Sequence, residues 1–153
     1  MADLPQNMLR RGRPPDQAGF RDDEELFRAF EPQAWEGDRI SIDAIGLPDL
    51  SVNWGKHGPP EWLLLLETFA DCGVGAFKVV DVPKKLEHLG VYLYTFDLAH
   101  EPTENNYPHS IIRAFDSNGQ HIRQEQGLNP EVHLRWRNRL RQRIQIRIRP
   151  GRA

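Results

Sequence analysis

A chain of 153 residues, 39% hydrophobic and 27% charged, has room for one packed core, and its four Trp and seven Phe exclude general disorder. A single cysteine, Cys72, excludes an internal disulfide and a thiolate metal cluster, and no apolar run approaches the ~20 residues of a membrane helix. The net charge of −2 hides an asymmetry: residues 14–130 carry nine Lys or Arg against twenty Asp or Glu, whereas residues 131–153 carry eight Arg against one Glu.

In chain order, residues 1–19 hold Pro5, Gly12, Pro14 and Pro15 without apolar periodicity, and read as a flexible leader. Met8-Leu9 runs straight into Arg10-Arg11-Gly12-Arg13, so no secretory signal is expected and a cytoplasmic, membrane-free protein is. Asp22-Asp23-Glu24-Glu25 before Leu26, Phe27 and Phe30 predicts a short helix ended by Pro32, because acids in a first turn complement the helix dipole. Strands are predicted over 39–45 and 50–54 from alternating apolar residues, and a helix over 60–70 behind Pro60-Glu61. Strands follow over 73–80, 91–96 and 110–115, the second of them rich in aromatic and β-branched residues. Lys84 to Gly90 reads as a short helix or turn, His100 to Pro108 as a polar loop, and Asp116-Ser117-Asn118-Gly119 as a turn.

The C-terminal segment carries two signals. Val132, Leu134, Trp136, Leu140, Ile144, Ile146 and Ile148 share one parity, and Arg135, Arg137, Arg139, Arg141, Arg143, Arg147 and Arg149 the other, as in a strand with one buried face. Asn129-Pro130-Glu131 is equally a helix start, with Val132, Trp136 and Leu140 four apart. One strand over 132–148 would be ~55 Å long at ~3.3 Å per residue, longer than a domain of this size, so the segment must break. Residues 142–149 are expected as a strand, with 130–141 helix or strand. The expected fold is α+β: one domain over 20–153, a mainly antiparallel sheet of five to six strands, two or three short helices, and a basic C-terminal strand element.

Several stretches resemble an uncharacterised family of small bacterial proteins. They are Asp23-Glu24-Glu25-Leu26-Phe27-Arg28 with Pro32 and Trp35, Leu50-Ser51-Val52-Asn53-Trp54, Pro59-Pro60-Glu61, Gly73-Val74-Gly75, and Glu104 to Ile112 around Asn106-Tyr107-Pro108-His109. The likeness covers roughly residues 22–113, with Phe27 where the family has Tyr and Asn-Tyr-Pro-His where it has Asn-Pro-Ala-His. It implies a bacterial origin and one ordered domain, and names no activity.

Four sets of residues carry candidate chemistry. The seven arginines from Arg135 to Arg149 could track a phosphate backbone, with Trp136 as a stacking platform if exposed; the alternative is a charged edge paired with the acidic body. In the polar loop, Asp97, His100, Glu101, Glu104 and His109 offer acid–base or ligand groups, yet no recognised metal spacing, and no metal or cofactor is expected. Arg28, Ser41, Ser51 and Glu61 follow the order of the Arg, Ser and Glu of ADP-ribosyl-transferring folds, without any NAD signature. Cys72, lacking basic neighbours in sequence, reads as a small buried residue.

The leading expectation is therefore a non-enzymatic interaction protein whose arginine-rich element meets nucleic acid, an acidic protein surface or another copy of itself. The alternatives are a small ADP-ribosyl-transferase-like enzyme with a pocket built from Arg28, Ser51, His100 and His109, and an accessory or immunity subunit binding through its acidic body.

Overall fold

The computed structural model describes residues 3–151; residues 1–2 of the expected leader and Arg152 lie outside them. Among these residues ten strands form: β1 (Glu25–Phe30), β2 (Trp35–Glu36), β3 (Arg39–Ile40), β4 (Leu50–Trp54), β5 (Gly73–Lys78), β6 (Lys85–His88), β7 (Tyr92–His100), β8 (His109–Phe115), β9 (His121–Ile122) and β10 (Gln145–Ile148). Helix α1 spans Pro130–Arg141, and the remaining helical pieces are 3-10 turns. The main sheet has eight strands in the order β10-β5-β1-β4-β8-β7-β6, with β9 beside β8, and its pairings are antiparallel. β2 and β3 make a separate two-stranded ribbon. The α+β class and mainly antiparallel sheet agree with the sequence reading; the sheet is larger and less helical than expected. No helix is long and apolar enough to cross a membrane among the described residues.

The sheet is buried on both sides at its centre. One face carries the large core, in which Leu26, Phe30, Leu50, Val52, Trp54, Phe77, Phe96 and Ile112 meet Val132, Trp136 and Leu140 of α1. The opposite face of β1 and β5 packs Phe27, Val74 and Ala76 under Leu63, Leu64 and Phe69 from the 3-10 turns of residues 60–69. This two-sided cover explains the first correction, since the predicted helix over Leu26, Phe27 and Phe30 is β1. Its alternate residues are apolar on both faces, so no period-2 signal shows in sequence.

The predicted helix over 60–70 is a run of 3-10 turns. Residues 84–90, expected as helix or turn, instead hold β6 in a hairpin with β7, turned by Leu89 (φ 58°) and Gly90 (φ 68°). Of the strand predicted over 39–45, only Arg39–Ile40 pairs; a 3-10 turn follows at Ile42–Ala44. Residues 3–19 form a strap: Met8 is fully buried, its carbonyl accepts from the Tyr107 amide, and the Arg10 amide donates to the Glu104 carbonyl.

Over residues 130–141 the helix wins. The Asn129 side chain accepts from the amides of Glu131 and Val132, Pro130 opens the first turn, and Val132, Trp136 and Leu140 form one buried stripe. The arginines therefore fan around a helix before continuing on the short strand β10, and the single guanidinium ladder of the strand reading does not form.

Candidate functional site

The seven C-terminal arginines divide into engaged and open groups. Arg135 donates to the Glu87 carbonyl at 2.8 Å, Arg137 lies 3.8 Å from Asp43, Arg141 donates to the Ile40 carbonyl, Arg147 pairs with Glu25, and Arg149 with Asp38 at 3.3 Å. Arg139 and Arg143, exposed on one side of the helix end, have no partner among the described residues and flank an open depression with Val80, Asp81 and Pro83. Trp136 is fully buried, packs 5.4 Å from Phe96 and donates its indole N–H to the Pro83 carbonyl, so it offers no stacking face. An indole with one polar edge and a large apolar body is held where that edge finds a carbonyl.

The other sequence-derived set partly converges. Arg28 on β1, Ser51 on β4 and His109 on β8 line one cavity of about 360 Å³, together with Phe27, Ala29, Val52, Asn53, Leu63, Leu66, Phe69, Thr103 and Asn106. Ser41 and Glu61 are not among its lining residues, so the ADP-ribosyl-transfer order does not become a constellation. His100 also lies outside, in a separate cluster described below.

The cavity follows from a break in the sheet. β1 and β4 pair only at Leu26–Trp54 and Phe27–Asn53, and beyond that point the ladder stops. Arg28 has the parity of the core-facing Leu26 and Phe30, where a guanidinium would be stranded. Its side chain turns into the split instead, donating from Nη1 to the Ser51 carbonyl at 2.7 Å. The residue is half-buried, yet Nε is completely enclosed and has no hydrogen-bond partner among the described residues. Burial pushes Arg28 below the ordinary guanidinium pKa, and among the described residues no carboxylate forms an ion pair with it. Arg137 also has a buried Nε without a partner, but Asp43 stands beside that guanidinium. A second cavity, about 230 Å³, also has Arg28 in its lining, with Phe30, Glu31, Thr68, Phe69 and Cys72. The Cys72 thiol is buried, and that burial raises its pKa, with Glu31 and Asp71 adding to the effect.

Opposite the apolar wall of Leu63, Leu66 and Phe69, the loop after β7 contributes polar groups. Asn53 and Asn106, both buried, exchange amide hydrogen bonds at 3.0 and 2.7 Å and fix the loop to β4. His109 Nδ1 lies 2.7 Å from the Glu101 carbonyl. A carbonyl only accepts, so Nδ1 carries the proton. Two other residues of the expected loop set play structural parts. Asp97 forms a two-point pair with Arg113 at 2.9 and 2.8 Å, and Glu104 serves through its backbone carbonyl.

The second cluster fastens the strap to this same loop. His57 and His100 stack at 5.1 Å with rings 3° from parallel, and Trp54 and Tyr107 meet them edge-on. The Asp16 amide donates to His100 Nδ1 at 2.9 Å, so His100 Nε2 carries the proton toward the Tyr107 carbonyl. The Asp16 carboxylate touches both Lys56 and His57 at 2.8 Å, and Lys56, with the Ala18 amide and His57, holds it far below the usual carboxylate range.

Sequence reasoning named Arg28, Ser51 and His109 but missed Asn53, Thr103 and the apolar wall, and missed Asp16 and His57 entirely. No local signal marks the Asn53–Asn106 pair, whose partners are 53 residues apart. Among the described residues, no group of three or more His, Cys, Asp or Glu is arranged to hold a metal ion. In comparisons with known proteins, no family model, curated protein or solved structure matches this chain.

Proposed function

We propose that this protein binds a small amphipathic anion in the cavity between β1, β4 and the 60–69 turns. The observation that supports this reading is Arg28, a half-buried cation with an enclosed, unpartnered Nε and no carboxylate paired with it among the described residues. A partly buried charge without a counter-charge destabilises the fold, and enclosed donors are nearly always satisfied. An anion in the cavity would supply the missing counter-charge, while Leu63, Leu66 and Phe69 would cover its apolar part. This is the pocket alternative of the sequence reading, stripped of its ADP-ribosyl-transfer chemistry. A thermal-shift screen of small acids, bases and neutral compounds tests it. Acids should dominate the stabilising hits, and those hits should vanish in Arg28→Met; hits without charge preference, or persisting in that variant, would refute it.

A second reading keeps the basic element as a contact for an anionic macromolecule, and the open pair Arg139 and Arg143 favours it. Fluorescence-anisotropy binding to short DNA and RNA across a salt series tests it. Steeply salt-dependent binding lost in the Arg139→Glu/Arg143→Glu double variant supports this reading, and no binding at low salt removes it.

A further inference from the structure

The polar groups of the larger cavity come from four separate places in the chain, and a series of contacts ties each to the next. The Nη1 end of Arg28 is fixed at the Ser51 carbonyl, and Ser51 lines this cavity but not the neighbouring one that Glu31 lines. β4 and β8 pair with Asn53 opposite His109 and Ser51 opposite Ile111, so Ser51 and His109 share one face of the sheet. The Asn53–Asn106 amide pair draws the loop down onto that face, and Thr103 exchanges backbone hydrogen bonds with Asn106. The Ser51 hydroxyl has no partner among the described residues, and the Thr103 hydroxyl has only a long 3.4 Å contact to the Asn106 carbonyl. His109 turns Nδ1 to the Glu101 carbonyl, which leaves Nε2, on the opposite edge of the ring, for a ligand. Among the described residues the lining contains no Asp or Glu.

We infer that the ligand of this site is a small phosphate monoester with an apolar body, its phosphate held by Arg28, the Ser51 and Thr103 hydroxyls and His109. The inference rests on the anion-pocket reading and names its ligand class. A carboxylate has two oxygens in one plane and a single charge, and one guanidinium answers it, as Arg113 answers Asp97. A phosphate monoester has three terminal oxygens in a tetrahedral array and up to two charges, so it needs donors from several directions. The cavity offers that set: a fixed cation, two neutral hydroxyls, and an imidazole that donates from both nitrogens when it is charged. The grip needs nothing from the enclosed Arg28 Nε. Leu66 and Phe69 then cover the organic part, within a volume of about 360 Å³.

The test is calorimetric titration of the full-length protein with phenyl phosphate, benzoate, inorganic phosphate and benzamide. Phenyl phosphate should bind most tightly and benzoate more weakly, and Arg28→Met should abolish the binding of both. The double variant Ser51→Ala/Thr103→Val removes both hydroxyls and keeps the Ser51 carbonyl. It should lower phenyl phosphate affinity about tenfold and benzoate affinity less than about threefold, because each hydroxyl bonds a charged oxygen that only the phosphate presents. His109→Ala should weaken phenyl phosphate in the same selective way. Circular dichroism checks that each variant folds, and Ser51→Ala alone, at an exposed position, carries the test if the double variant does not. Benzoate binding more tightly than phenyl phosphate, or phenyl phosphate affinity unchanged in the hydroxyl and His109 variants, would overturn the ligand class and leave an anion pocket. Inorganic phosphate binding as tightly as phenyl phosphate would overturn the apolar body. Equal binding of benzamide, or anion binding unchanged in Arg28→Met, would overturn the pocket reading itself. No phenyl phosphate binding at millimolar concentration would reject the inference outright.

Discussion

Arg28 reaches the Ser51 carbonyl at 2.7 Å across the point where β1 and β4 stop pairing, so a side chain occupies the place of a ladder hydrogen bond. The bond uses one corner of the guanidinium and leaves an enclosed donor unanswered. The guanidinium is therefore a partly buried charge without a counter-ion among the described residues. Replacing Arg28 by Met, which has similar length and no charge, should raise the stability of the free protein by about 1–3 kcal/mol, as uncompensated buried charges do when exchanged for apolar groups. Chemical denaturation of both proteins measures this. A loss of stability of the same size would mean that the Ser51 contact, rather than a vacant grip, explains Arg28.

The strap should loosen in acid. His100 lies below its ordinary value of 6.5, chiefly through burial, with His57 and His109 lowering it further and the Tyr107 carbonyl and Asp16 opposing. A folded-state pKa below the unfolded one means the unfolded chain takes the proton first. The His100 contribution is thus fully present above pH 6.5 and is lost as pH falls below it. Asp16, depressed from 3.8, adds stability that fades only below that value. Melting temperature should fall between pH 7 and pH 5 in the native protein, and fall less in His100→Gln, which does not titrate there. Parallel profiles in the two proteins would contradict the latch.

Trp136 anchors α1 to the sheet, fully buried and hydrogen-bonded to the Pro83 carbonyl. Trp136→Ala should cost about 3–5 kcal/mol in equilibrium unfolding. A cost below 1 kcal/mol would mean that the helix docks without it.

The C-terminal arginines should separate by stability alone. Arg139→Glu and Arg143→Glu should change it by less than about 0.5 kcal/mol, since both are exposed and unpaired. Arg141→Ala should cost about 1–2 kcal/mol, because it leaves the carbonyl of buried Ile40 without its donor. Equal effects at all three positions would contradict the division.

Gly75, in the middle of β5, has no room for a side chain: an added Cβ would stand 2.7 Å from Ile144 and 3.1 Å from Phe30. Gly75→Ala should destabilise by about 1–3 kcal/mol, read from urea unfolding. A neutral result would show that the β10 side of the sheet yields.

Much of the sheet was readable because β-branched and aromatic runs bounded by turn residues announce themselves, as in Val52, Val74, Phe96 and Ile112. β1 was not, because Leu26 and Phe27 are buried on opposite faces and mimic helical spacing. The arginines misled for a related reason. Alternating at 135, 137, 139, 141 and 143, they imposed a period of two on a segment whose buried residues, Val132, Trp136 and Leu140, keep a period of four. For the site, residue types pointed to Arg28, Ser51 and His109, whereas the contacts that shape it, Asn53 with Asn106 and Arg28 with the Ser51 carbonyl, depend on strand pairing that no local pattern records.

The most direct test of the Arg28 pocket is the Nε–H resonance of Arg28 in ¹⁵N NMR spectra, assigned by its loss in Arg28→Met and followed during titration with benzoate. A saturable downfield shift of this proton, with perturbations at Leu66 and Asn106, is the predicted result. An Arg28 Nε–H resonance that does not move while benzoate binds elsewhere, or does not bind, would contradict the account.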